Sequence, residues 1–290
     1  QNNLGSAFSE IKKYDEAIKH YQQAIKIKPN YAEAFNNLAN VLRQTGQIKE
    51  SIVHYNEAIR LKKDYSKAYF NLGIILSQQG QIEEAIEQYQ KALEINSKYV
   101  MAHNNLASLL TQRKDIAGAI RHYKEAIIID PEFAQGHNNL GSTLAGQGKR
   151  EEAIFYYNEA IRLKEDYDEA YFNLGITLNQ QGQIEEAIEQ YQNALEINSK
   201  FLMAHNNLAS LLAQRKDIAG AIRHYKEAII IDPEFAQAYN NLGSTLAGQG
   251  KLEEAILLFE KAVSIDPNYI NAQNNLKLAR SLMAGTGVSN

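Results

Sequence analysis

Leu4, Leu38, Leu72, Leu106, Leu140, Leu174, Leu208, Leu242 and Leu276 stand 34 residues apart along the whole chain, without one insertion. A strict period of this length means that each unit is one supersecondary element. Such an element cannot bury its apolar face alone, so it stacks on its neighbours.

Other phases repeat in step. Ala17, Ala85, Ala119, Ala153, Ala187, Ala221 and Ala255 share one, with Ser51 in the remaining place, and Tyr21, Tyr55, Tyr89, Tyr123, Tyr157, Tyr191, Tyr225 and Phe259 lie four residues further on. Within a unit the apolar residues recur at helical spacing, as in Leu106, Leu109 and Leu110, then Ile116, Ala119, Ile120 and Tyr123. Gln-Gly-Gln at 79–81, Gln-Gly-Lys at 147–149 and Arg-Lys-Asp at 113–115 separate the two runs. Each unit therefore predicts two helices of about 14 residues joined by a tight turn, with Gly supplying a left-handed residue at most first-helix ends. Lys114 and Lys216 stand where that Gly is absent. All four prolines (Pro29, Pro131, Pro233, Pro267) share a single phase, between one unit and the next, where they stop one helix and suit the start of another. Small residues beside the leucines, such as Gly73, Gly141, Ala107 and Ala209, allow close helix approach while the tyrosines fill the space between.

A second, longer period is present. Residues 66–133 and 168–235 agree at 60 of 68 positions, so a three-unit block of 102 residues is duplicated. Identity between the copies reflects common ancestry and carries little functional information.

Composition narrows the function classes. With 44% hydrophobic and 22% charged residues and a net charge of −4, the chain lacks the basic stripe of a nucleic-acid binder. It contains no cysteine, which excludes disulfides and thiolate metal sites. No apolar run approaches the ~18 residues of a membrane span. The first residues already lie within a repeat, which reads as a piece of a longer product.

The recurring pattern is an aromatic residue or His, two polar residues, Leu, Gly or Ala, and then Gly, Ala, Tyr, Ala and Pro at set phases. It resembles the tetratricopeptide repeat family over essentially the whole chain. Phe35, Tyr69, Tyr171, Tyr239, His103, His137 and His205 replace the family's usual Trp. The resemblance implies an all-α, right-handed superhelical solenoid of tandem 34-residue helix-turn-helix repeats, roughly one superhelical turn long. By phase there is a truncated first repeat (1–31), then seven complete repeats at 32–65, 66–99, 100–133, 134–167, 168–201, 202–235 and 236–269, and a capping helix and tail at 270–290. Lys277 in the Gly/Ala phase and Arg280 in that of Leu246 give the cap its polar outer face.

The resemblance also implies that first helices line the concave side. The residues pointing away from the Leu stripe are then Met101, Asn104, Asn105, Ser108, Thr111 and Gln112 in one unit, Gln135, Asn138, Asn139, Ser142, Ala145 and Gly146 in the next, and Glu169, Phe172, Asn173, Ile176, Asn179 and Gln180 in a third. The trough is polar and mostly uncharged, interrupted by Phe70 with Ile74 and by Phe172 with Ile176. Its charges are Glu33, Arg43, Lys67 and Glu169.

One phase is Asn in every first helix: Asn3, Asn37, Asn71, Asn105, Asn139, Asn173, Asn207, Asn241 and Asn275. Asn costs a helix about 0.5 kcal/mol relative to Ala. The bland explanation is a bond to a neighbouring helix or to water. The functional one is a ladder of primary amides, each both donor and acceptor, pairing with the backbone of an extended chain whatever its side chains. At about 0.5–1.5 kcal/mol net per bond, several rungs together would hold a ligand that one would not. Here the motifs NNLA, NNLG and HNNLAS look like the superhelical repeats of O-linked N-acetylglucosamine transferases, whose Asn ladder holds substrate polypeptide. The candidate peptide-binding residues are Asn37, Asn71, Asn105, Asn139, Asn173, Asn207 and Asn241, with Asn104, Asn138, Phe70 and Phe172.

Other constellations carry less. Stacking would bring His103 near His137, but no carboxylate or cysteine joins them at ligand spacing, and packing roles are expected. Lys67 and Arg43 do not make the basic cluster that grips a terminal carboxylate. No catalytic or phosphate-binding signature is present, and no cofactor or metal is expected. The reading is a cytoplasmic, non-enzymatic interaction scaffold binding an extended polypeptide segment, with no nucleic-acid or membrane partner. The alternatives are the substrate-recruiting arm of a larger enzyme such as a protein glycosyltransferase, and self-assembly through an uncapped N-terminal end.

Overall fold

The structure is a computed structural model describing residues 1–286, with side chains through Ala284. Every regular element among them is an α-helix. In order these are α1 (Asn2–Glu10), α2 (Tyr14–Ile27), α3 (Ala32–Gln44), α4 (Ile48–Leu61), α5 (Ser66–Gln78), α6 (Ile82–Ile95), α7 (Val100–Gln112), α8 (Ile116–Ile129) and α9 (Ala134–Gly146). They continue with α10 (Arg150–Leu163), α11 (Asp168–Gln180), α12 (Ile184–Ile197), α13 (Leu202–Gln214), α14 (Ile218–Ile231), α15 (Ala236–Gly248), α16 (Leu252–Ile265) and α17 (Ile270–Thr286). The helices gather into two compact units, one of residues 1–143 and one beginning at Leu144, so the division falls inside α9.

The first unit is a stack of antiparallel hairpins. Each first helix packs on its own second helix (α3 on α4, α5 on α6, α7 on α8), and each second helix packs on the next first helix (α2 on α3, α4 on α5, α6 on α7). The second unit repeats this with α11 on α12, α13 on α14 and α15 on α16, linked through α10–α11, α12–α13 and α14–α15, and ends with α17 on α16.

The turn within each hairpin is short because one left-handed residue closes it. At the end of α3, Gly46 has φ +80°. Its N–H donates to Arg43 O at 3.2 Å, and Gln47 N–H donates to Leu42 O at 2.8 Å. This paired arrangement satisfies carbonyls that the helix end would otherwise leave open. Lys114 and Lys216 adopt the same conformation at φ +64° and +66°. A side chain there is strained by roughly 1 kcal/mol. In those two hairpins the next residue, Asp115 or Asp217, accepts the N–H of Gly118 or Gly220 at 3.0 Å and caps the second helix.

Tyrosine packing explains the small-residue phase. An added Cβ on Gly73 would sit 2.7 Å from the ring of Tyr89, and on Gly175 2.7 Å from that of Tyr191. The rings lie against bare backbone, and Tyr55, Tyr89, Tyr157 and Tyr191 are almost completely buried. Leu38, Leu106, Leu140 and Leu208 of the founding phase are buried as well, each contributing about 1.5–3 kcal/mol.

At the end of the second unit α17 buries Ala272 and Ala279, while Lys277 and Arg280 face solvent. Arg280 reaches Glu260 at 2.6 Å. The outer face is less polar than the sequence suggests, because Leu278 and Leu282 remain 58% and 50% exposed.

Candidate functional site

The first-helix phases divide into a sunken row and a surface row. Glu33, Lys67, Met101, Gln135, Glu169 and Met203 are exposed, as are Ser108, Ser142, Ser210 and Ser244 one helical turn beyond the amides. Between them Asn37, Asn71, Asn105, Asn139, Asn173, Asn207 and Asn241 are half-buried.

The Asn that precedes five of these lies deeper. Asn36, Asn104, Asn138, Asn206 and Asn240 are 1–6% exposed. This corrects the placement of Asn104 and Asn138 on the trough surface: one residue is a 100° rotation on a helix, which carries the first Asn of each pair into the joint between hairpins. Phe70 is corrected likewise. It is buried at 7% exposure, with ring centroids 4.7 Å from Tyr99 and 5.8 Å from Tyr89. Phe172, partly buried, meets Phe201 at 4.6 Å and Tyr191 at 5.8 Å. Both rings pack on the second helix of their own repeat and on the aromatic residue that leads into the next first helix.

The two Asn rows are wired together. Asn71 Nδ2 donates to Asn36 Oδ1 at 3.1 Å, Asn36 Nδ2 to Asn37 Oδ1 at 3.2 Å, and Asn37 Nδ2 to Asn2 Oδ1 at 3.2 Å. Asn139 Nδ2 donates to Asn104 Oδ1 at 2.9 Å, and Asn104 Nδ2 to Asn105 Oδ1 at 3.3 Å. In the second unit Asn275 donates to Asn240 at 2.9 Å, Asn240 to Asn241 at 3.2 Å, Asn241 to Asn206 at 3.2 Å, and Asn206 to Asn207 at 3.4 Å. Each bond between repeats spans 35 residues and joins consecutive first helices. A primary amide has two N–H donors and two acceptor lone pairs, so this wiring leaves capacity on the surface row.

Tyrosine hydroxyls reach the same face from below. Tyr21 donates to Ser6 Oγ at 3.2 Å and Tyr55 to Asn40 Oδ1 at 2.5 Å. Burial raises the phenol of Tyr89, and that of Tyr191 to about 12, so both stay neutral. Two recesses open beside such hydroxyls. One of about 440 Å³ is lined by Ser210, Tyr225, Asn241, Ser244 and Thr245, among others. One of about 240 Å³ is lined by Ile74, Ser77, Gln78, Tyr89, Asn105, Ser108 and Leu109.

Charges collect elsewhere. Glu57–Arg60, Glu87–Lys91 and Glu159–Arg162 pair along second helices, and Arg113–Glu83 and Arg215–Glu185 join turns to second helices. These exposed pairs contribute little to stability.

The histidines pair within hairpins. His103 Nδ1 lies 2.9 Å from His122 Nδ1, with His103 Nε2 on Ser97 O at 3.0 Å. His205 and His224 repeat this at 2.9 Å, with His205 Nε2 on Ser199 O at 3.1 Å. Because a carbonyl only accepts, the Nε2 of His103 carries the proton and its Nδ1 accepts from His122. Burial, then the facing His103, hold His122 down to about 4; His224 is held to about 4 in the same way by burial and His205. The partner of His103 is thus 19 residues away, across its own hairpin, and no group of three or more metal-ligating side chains occurs among the described residues. No described helix is long and apolar enough to cross a membrane.

Comparison with known proteins agrees with this architecture. Models of the tetratricopeptide repeat match residues 30–98 and 64–132, and again 168–201 and 236–269. A further TPR-repeat model matches 5–46, 144–181 and 209–250. No curated protein matches the chain. Among solved structures, the chain is similar to YrrB, described as a TPR protein with an unusual peptide-binding site, at 25% identity and a TM-score of 0.54, over 65% of this chain and 97% of that one. It also resembles pilF of Pseudomonas aeruginosa, at 24% identity and a TM-score of 0.65, over 72% of this chain and 95% of that one. Cut9–Hcn1 of the APC/C gives 18% identity and a TM-score of 0.68, over 92% of this chain and 52% of that one. The last two bear on the fold alone.

Proposed function

The chain belongs to the tetratricopeptide repeat family, and we propose that it is a non-enzymatic scaffold that holds an extended polypeptide segment on its first-helix face. The observation that carries this reading is the surface row of half-buried Asn amides among exposed serines, on a face with few charges. An amide there offers N–H and C=O at once, which suits a peptide backbone and is indifferent to its side chains. The likeness to YrrB supports a peptide ligand. The same face would serve as the recruiting arm of a longer enzyme.

The test is capture of blocked, uncharged peptides from an array. Ser108→Arg with Ser210→Arg places bulk and charge on the first-helix face, and capture should fall. Gln90→Arg with Gln192→Arg, exposed on second helices, should leave it intact. Equal capture by both double variants would refute the assignment of the face.

A second reading, self-association, draws on α1, where Leu4 is 45% exposed, and on the adjoining Ile11 at 62%. Light scattering over a concentration series should then show mass rising with concentration, and a constant monomer mass would dismiss it.

A further inference from the structure

Two of the surface amides differ from the rest. Asn37, Asn71, Asn139, Asn241 and Asn275 each donate Nδ2 to an Asn of the preceding first helix. Asn105 and Asn207 have no such acceptor, because the preceding first helices carry Phe70 and Phe172 at that phase. Asn105 Nδ2 instead lies 3.5 Å from Tyr89 Oη, at the outer limit of a hydrogen bond. The amide of Asn207 interacts with the hydroxyl of Tyr191 on that side.

The same two repeats change a second residue. The position that is Ser108, Ser142, Ser210 or Ser244 elsewhere is Ile74 after Phe70 and Ile176 after Phe172. In the first unit Ile74, Tyr89, Asn105 and Ser108 line one recess of about 240 Å³. The larger recess near Tyr225 has Asn241 in its wall, whose Nδ2 is already tied to Asn206. Asn241 thus has one N–H left beside the hydroxyls, whereas neither N–H of Asn105 is tied to a neighbouring Asn.

Resting on the peptide-holding reading above, we propose that Asn105 and Asn207 are anchoring points, one in each unit. Each takes a backbone carbonyl of a segment bound to its own unit, with an adjacent aliphatic side chain seated against Ile74 or Ile176. The amide of Asn105 reaches the carbonyl with an uncommitted N–H, and the Tyr89 O–H is free to donate beside it. The remaining amides act chiefly as staples between repeats. The preferred ligand is an uncharged extended peptide carrying a Leu or Ile, because the recess holds one apolar wall and no charge.

The experiment follows the side-chain amide signals of the intact chain by NMR during titration with the blocked peptide Ac-SGSLSGS-NH2. The peptide with Glu in place of Leu serves as control. The Asn105 and Asn207 signals should shift well beyond those of Asn37 and Asn241, and the Glu peptide should bind more weakly. Phe70→Asn supplies the missing acceptor and should weaken binding at Asn105 by about 2- to 10-fold, the worth of one hydrogen bond. Asn105→Ala should do the same without touching the Phe70 packing. Equal shifts at tied and untied amides, or no loss in Asn105→Ala, would overturn this assignment while leaving the face itself as a peptide site. Absence of shifts at every first-helix amide, with either peptide, would overturn the peptide-holding reading too.

Discussion

The hairpin α5–α6 and the hairpin α7–α8 that follows it share one backbone plan and differ in local detail. The first buries the ring of Phe70 against Tyr89 and Tyr99 and closes its turn with Gly80. The second buries Asn104, closes with Lys114 and sets His103 on His122. A joint filled by an aromatic ring is apolar and leaves the following amide untied. A joint filled by an amide becomes a hydrogen-bonded staple and commits its neighbour. One side chain thus decides whether the surface Asn of the next repeat commits an N–H to the preceding first helix.

The largest expected effect separates the two joints. Phe70→Ala removes a buried ring packed on Tyr99 and Tyr89 and should cost about 3–5 kcal/mol, read as loss of amide-exchange protection in α5 and α7. Asn104→Ala removes the acceptor of Asn139 and should cost about 1–2 kcal/mol. Asn105→Ala should cost less than Asn104→Ala, because only the 3.3 Å bond accepted from Asn104 and the 3.5 Å contact with Tyr89 are lost while Ala gains helix propensity. Equal costs for the last two would erase the distinction between tied and untied amides.

Acid should separate the hairpins next. His122 faces His103, Arg121 and Asp115 and is held down at about 4, whereas the unfolded chain takes up its proton near 6.5. The folded form therefore resists protonation. Its contribution is complete above about pH 6.5 and is lost progressively as the pH falls towards 4. Solvent screening of a partly exposed ring reduces the full linkage value to about 1–2 kcal/mol. Amide exchange should show α7–α8 loosening before α5–α6 over that interval, and His122→Gln should remove the difference. Simultaneous loosening that survives His122→Gln would contradict the assignment.

The smallest effect concerns the turns. Lys114→Gly relieves a strained left-handed residue and should stabilise its hairpin by about 1 kcal/mol, after allowance for the freedom glycine adds to the unfolded chain. Gly80→Lys should destabilise its own by a similar amount. Thermal melting of the two variants checks the sign of each.

The hairpins, their turns and the tyrosine packing are legible in the sequence because each follows from contacts inside one unit: Leu, Gly and Tyr at helical spacing admit a single pairing. The site is less legible. Asn104 and Asn105 are chemically identical, and only the rotation of each helix in its joint decides which is sunken and which is at the surface. The acceptor of Asn139 lies 35 residues back, so the wiring depends on how neighbouring hairpins meet. His103 finds His122 because the hairpin folds back on itself, which a search along the repeat period overlooks. The alternation of Phe70 and Phe172 with Asn was a readable signal, but its meaning needed the hydrogen bonds.

The most direct test of the tied and untied amides is the exchange rate of the Asn side-chain NH2 protons with water in the free protein, read by NMR. Asn71, Asn139 and Asn241 should exchange slowly, and Asn105 and Asn207 at close to the rate of a solvated amide. One common rate across all five would contradict the account.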